Sequence, residues 1–104
     1  MSSDFNKRLQ TATVREIKVE DHLREGAEAR DGFCLKLNSA WYVGIPDRVL
    51  LLPGGLVVFV ETKTIGGVVS GKQGWWHRRL RALGFRVEII WTKQQVDEFY
   101  ASIA

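Results

Sequence analysis

This sequence has little with which to build a cross-linked or metal-stapled scaffold. It holds one cysteine, Cys34, and two histidines, His22 and His77. A single cysteine forbids an intrachain disulfide, which fits a reducing compartment. One Cys and two His without ligand spacing exclude a Cys/His zinc centre. Cys34 lies in the strand-like run GFCLKL and reads as a small buried hydrophobe. Long hydrophobic runs are also missing. The longest, VLLLP and LVVFV, fall far short of the ~20 residues a membrane helix needs. The opening residues, MSSDFNKRLQ, are polar and contain no signal-peptide core. Together these absences predict a cytoplasmic protein, and nothing in the sequence calls for a membrane or an organic cofactor.

What is present suffices for one folded domain. The chain has 104 residues, 45% hydrophobic and 26% charged, so it can bury a working core without staples. Its formal net charge of +3 is mildly basic and does not by itself imply a nucleic-acid partner. Residues 1–13 show no apolar period and are expected to be a mobile lead-in to a single domain over 14–104.

The apolar spacing from Val14 to Ala29, with Ile17, Leu23 and Ala27 on one face, predicts an amphipathic helix. Gly32 is its expected C-terminal cap. FCLKL then reads as a first strand, NSAWYVGIP as an aromatic loop, DRVLLL as a second strand and LVVFVETK as a third. The turn Pro53-Gly54-Gly55 joins the last two as a β-hairpin. Five successive apolar positions predict that the third strand is central and buried on both faces. Ser70 opens a helix through KQGWWHRRLRAL, closed by Gly84, with Trp76, Leu80 and Leu83 as its buried stripe. FRVEIIW is a fourth strand, ending in a core Trp91. A last helix carries Val96, Phe99, Tyr100 and Ile103 on one face. The expected fold is α/β, a mixed four-stranded sheet flanked by helices in the order α-β-β-β-α-β-α, with the second helix crossing over to a parallel strand.

The chemistry sits at the ends of the hairpin. Side chains alternate along a strand, so Glu61 and Lys63 point one way and Thr62 the other. Antiparallel pairing through the turn brings Asp47 beside residues 61–63. Two carboxylates, with the backbone carbonyl of Thr62, form a set of hard oxygen ligands that suits Mg²⁺. A metal at such a site acidifies water into a nucleophile, which Lys63 is placed to orient or deprotonate. The same residues also fit a solvated strand end with a surface ion pair. Ile45-Pro46 restricts the entry to Asp47, which favours the built site.

At this point the residues GIPDRVLLLPGG and VVFVETK, then SGKQ, LRALGF and VDEFYASI, resemble the VRR-NUC domain over residues 15–103. That domain is a branch of the PD-(D/E)xK nuclease superfamily, often a stand-alone phage or prophage protein. The resemblance implies a restriction-endonuclease-like core, cleavage of DNA phosphodiesters with Mg²⁺ or Mn²⁺, and, if the chain is phage-encoded, action in the host cytoplasm. Stand-alone members are similar to homodimers that cut branched DNA, including four-way junctions. By position, Asp47 matches the family's metal-ligand aspartate, and Glu61 and Lys63 its E-x-K. A family glutamate on the first helix corresponds to Glu16 or Glu20, of which the E-x-x-L context favours Glu20. Gln73 matches a glutamine near the scissile phosphate, and it also completes a Ser-x-x-Gln capping box with Ser70. The sequence has Ser70-Gly71 where the family tends to have Ser-Pro.

The second helix could hold the substrate. Lys72, Arg78, Arg79 and Arg81 fall mostly off its apolar stripe, as either a solvated face or phosphate contacts. His77 could face either way. Trp41, Tyr42 and Trp75 are candidates to stack on unpaired bases, to form a dimer patch, or simply to pack. The expected activity is a homodimeric, divalent-metal-dependent, structure-selective DNA endonuclease. Two alternatives stay open: a non-catalytic DNA-binding or assembly module on the same fold, and a nuclease of flaps or single strands.

Overall fold

Residues 17–38 and 40–104 are described by a computed structural model. The expected lead-in over 1–13, Val14 and Glu16 lie outside the described residues. Residues 17–28 are helical (α1), followed by the strands β1 (Phe33–Lys36), β2 (Arg48–Leu52) and β3 (Leu56–Thr62). Helix α2 (Gly71–Ala82), strand β4 (Arg86–Ile90) and helix α3 (Lys93–Ile103) complete the order. The sheet runs β1-β2-β3-β4. Its first two pairings are antiparallel and the third, β3 with β4, is parallel, with α2 as the crossover. The fold is the mixed α/β sheet the sequence predicts.

One face of the sheet carries the core. Val19, Leu23 and Ala27 of α1 and Val96, Phe99 and Tyr100 of α3 pack on Leu50, Leu52, Val58, Val60 and Ile90. Burying side chains of this size is worth roughly 1.5–3 kcal/mol each. An exposed ion pair contributes at most ~1 kcal/mol. The apolar stripe therefore sets the register, and the charged strand ends follow it.

On the opposite face α2 packs against β4 and buries His77 and Leu80, while Phe33, Leu35 and Leu51 of β1 and β2 stay exposed. The third strand is central as expected, fully buried on its core face and only partly buried on the other. Val58 and Val60 are fully buried, whereas Val57 and Phe59, on the α2 side, are half-buried.

Several local expectations need correction. The first-helix stripe is Val19, Leu23 and Ala27, spaced four apart; Ile17 is half exposed. The residue with left-handed backbone after α1 is Asp31 (φ 60°), not Gly32. Gly32 is needed for a close approach instead, because a Cβ there would lie 2.5 Å from the Leu51 carbonyl oxygen. In α2 the buried pair is His77 and Leu80; Trp76 is half-buried and Leu83 is exposed. Trp91 falls one residue beyond β4 and is half-buried, its indole N–H donating to the Gly67 carbonyl. Cys34 is likewise half-buried rather than sealed in the core.

Candidate active site

The hairpin delivers its charges to one end of the sheet. Arg48 pairs with Val60 in the β2–β3 ladder, so the next position outward sets Asp47 across from Glu61. The Asp47 carbonyl accepts a hydrogen bond from Leu37 N–H, which ties this point of the chain to the end of β1. The Asp47 carboxylate is held by Thr62. The Thr62 backbone N–H donates to Oδ1 at 3.2 Å, and the Thr62 hydroxyl donates to Oδ2 at 2.8 Å.

Glu61 and Lys63 project to the α2 side, as the strand period requires, and meet Gln73. The Gln73 amide N–H donates to Glu61 Oε1 at 2.8 Å. Its Oε1 accepts from Lys63 Nζ at 2.8 Å and from the Ser70 backbone N–H at 3.0 Å. Two donors at one atom and an acceptor at the other orient the amide without ambiguity. Gln73 is thus at once the capping-box partner of Ser70 and the link between the acid and the amine.

Glu61 is only 4% exposed. Burial, and then the Asp47 charge beside it, push its carboxyl up to about 7, against the pull of Lys63. Two carboxylates this close leave excess negative charge that a cation relieves. Asp47, half-buried, and Glu61, buried, offer hard oxygen donors at one strand end, and Mg²⁺ is held in other proteins by one or two carboxylates with water completing the shell. The donor set therefore fits a hard divalent ion.

Glu20 reaches the same cluster from α1 but is engaged elsewhere. Its Oε2 lies 2.8 Å from Arg48 Nη2. Its Oε1 is 3.2 Å from the Thr62 hydroxyl, whose single hydrogen goes to the nearer Asp47 oxygen. Among the described residues, no group of three or more carboxylate, Cys or His side chains stands ready as a metal cage. The expected contribution of Thr62 was its carbonyl; the contacts seen here are made by its hydroxyl and N–H.

Arg48 joins the cluster, although no motif in the sequence singles it out. It is 8% exposed and also donates from Nη1 to the Asp47 carbonyl at 3.1 Å. A signal was available: Arg48 occupies a core-facing position of an otherwise apolar strand, which demands a buried partner. His77 is buried in α2 and its Nε2 has no hydrogen-bond partner among the described residues. Burial, then the charges of Arg81 and Lys63, lower its pKa and keep it neutral.

The expected substrate-binding residues divide. Lys72, Arg78 and Arg79 are exposed on α2. The Arg79 guanidinium lies 5.8 Å from the centroid of the half-exposed Trp75 ring. Arg81 is turned back onto the sheet, donating to the Val87 carbonyl at 3.0 Å, so it is tied to structure.

Comparisons with known proteins bear on this geometry. No protein-family model matches the sequence. The chain is 36% identical over 77 residues to a protein described as "Putative nuclease p44" of Acyrthosiphon pisum secondary endosymbiont phage 1. That match spans 74% of this chain and 83% of the phage protein. A solved structure described as "VRR_NUC domain" superposes with a TM-score of 0.75 at 32% identity, covering 81% of this chain and 91% of the other.

Proposed function

The chain belongs to the VRR-NUC family and is a nuclease, and on that footing we propose that it hydrolyses DNA phosphodiester bonds with a divalent cation, Mg²⁺ or Mn²⁺, held by Asp47 and Glu61. The observation that carries this reading is the Gln73 bridge. One amide fixes Lys63 and Glu61 relative to each other, while the β2–β3 register sets Asp47 opposite Glu61. An acid pair and an ammonium held in fixed relation serve no evident purpose in a binding module.

When bound, the cation supplies Lewis acidity toward a phosphate oxygen and lowers the pKa of water. The side chains do the rest. Lys63 keeps hydrogens to offer beyond the one given to Gln73, so it can meet negative charge building on the phosphoryl oxygens. Thr62 fixes the Asp47 carboxylate by two hydrogen bonds, leaving lone pairs for ligation. Arg48 holds the Glu20 carboxylate beside Thr62, and Glu20 thereby adds negative charge next to the ligands. The Thr62 carbonyl remains a candidate third oxygen.

Exposed Lys72, Arg78 and Arg79 support phosphate contacts. Phe33, Leu35 and Leu51, exposed among the described residues, support association with a second copy. A two-fold pair of sites suits paired cuts in branched DNA such as a four-way junction.

The test incubates labelled four-way junction, flap, nicked and duplex DNA with the full chain in Mg²⁺ or in EDTA. Cleavage in Mg²⁺ alone is expected, with the junction preferred. Lys63→Ala and Asp47→Asn are each expected to lower the rate by about 10²-fold or more, the scale for losing one preorganised charge contact. Binding without metal-dependent cleavage would instead favour a DNA-binding module.

A further inference from the structure

Beside the catalytic cluster, the aromatic residues that the nuclease reading leaves idle form a cavity of about 360 Å³. Trp41, Tyr42 and Val43 line one side and Lys72, Trp75 and Trp76 of α2 the other. Trp41 is 91% exposed and Trp75 50%. Both walls are built. The Trp76 indole N–H donates to the Val43 carbonyl at 3.1 Å, and Trp76 meets Tyr42 and Trp75 edge-on, each at 5.2 Å between centroids. Gly44 presses its backbone on that of Lys72, where a Cβ would lie 2.9 Å from the Lys72 carbonyl carbon. Its φ of 95° adds a second reason for glycine there.

Both walls also run directly into the catalytic cluster. Asp47 lies three residues beyond Gly44, and Lys72 immediately precedes Gln73. The cavity and the Asp47–Lys63 cluster are therefore joined by short stretches of chain, on the order of 10 Å or less at full extension. The volume lies at the low end of the roughly 300–1,000 Å³ range of small-ligand sites, enough for one base with its sugar but not for duplex. Exposed indoles offer faces for stacking, and Lys72 offers a positive charge for the phosphate that follows a base.

We infer that this cavity receives one unstacked nucleobase adjoining the scissile phosphate, with Trp41 and Trp75 as its stacking faces and Lys72 on the neighbouring phosphate. The inference rests on the nuclease reading, because it takes the phosphate position from that site. It makes a discontinuity in pairing, such as a bulge, a branch point or a single-stranded end, the feature recognised.

The experiment measures binding of the full chain in EDTA to three duplexes of equal length, by DNA titration and tryptophan emission. One is fully paired, one has a single unpaired base, and one has an abasic site in place of that base. The unpaired base is expected to bind about tenfold tighter than both others, the scale of stacking one base, and to quench emission. Trp41→Ala and Trp75→Ala are expected to erase that preference, and circular dichroism checks that both variants fold. Lys72→Ala is expected to weaken all three DNAs alike and to flatten the salt dependence. Equal affinity for the base and the abasic site overturns the inference. So does loss of dimerisation in the tryptophan variants with the base preference intact, which would make the patch a protein–protein face. A base preference that persists without any cleavage in Mg²⁺ would overturn only the nuclease reading.

Discussion

Replacing Ser70 by alanine and replacing Gln73 by alanine separate the two roles that meet at the start of α2. Ser70→Ala removes one half of the capping box and is expected to cost about 1 kcal/mol of stability with most activity kept. Gln73→Ala costs a similar amount and also frees Lys63 and Glu61, so its cleavage rate should fall tenfold or more below that of Ser70→Ala. Urea denaturation and single-turnover cleavage of both variants decide it; equal activities would reduce Gln73 to a cap. His77 supplies a second residue-scale expectation. It is buried and its folded pKa lies below the ordinary 6.5. The unfolded chain therefore takes up a proton that the fold refuses, so the stability contribution is full above pH 6.5 and declines as pH falls below it. The urea midpoint of His77→Phe should fall less than that of the wild type between pH 7 and 5. Parallel curves for the two proteins would contradict this.

Between elements, the ion pair of Arg48 and Glu20 is the joint that docks α1 on β2 beside the site. Arg48→Met leaves Glu20 a partly buried charge without its partner and is expected to destabilise by about 3 kcal/mol. Adding Glu20→Gln should recover a large part of that loss, which a double-mutant cycle in urea reads directly. Additive effects of the two substitutions would deny the coupling. The same joint shows where sequence reading reaches its limit. Asp47, Glu61 and Lys63 were legible because a hairpin has one register and a strand one period. The Ser70–Gln73 box was legible because it is local. Arg48 and Glu20 meet across a helix–sheet contact, and no local spacing encodes which partner a buried arginine finds. Val19 displaced Ile17 from the α1 stripe for the same reason, since the exact rotation of a helix is settled by the sheet beneath it. Asp31 took the left-handed position because Gly32 was required at the close approach to Leu51.

At the scale of the whole molecule, Phe33, Leu35 and Leu51 on one face of β1 and β2 are apolar side chains that the described residues leave exposed. If a second copy covers that face, Phe33→Glu together with Leu51→Glu should give a monomer by sedimentation at concentrations where the wild type is a dimer. Paired cuts at a junction should then become single nicks, with the active-site cluster unaltered. A wild type that is monomeric throughout would remove the two-fold reading of the substrate.

The sharing of Gln73 has one more consequence. The first turn of α2 is exposed at Ser70, Gly71 and Lys72, the kind of segment that opens long before a domain melts. Each opening uncouples acid from amine, so under the proposed mechanism activity requires that turn to be wound. Inactivation and denaturation are then expected as two separate events, the former first on a ramp of urea or heat.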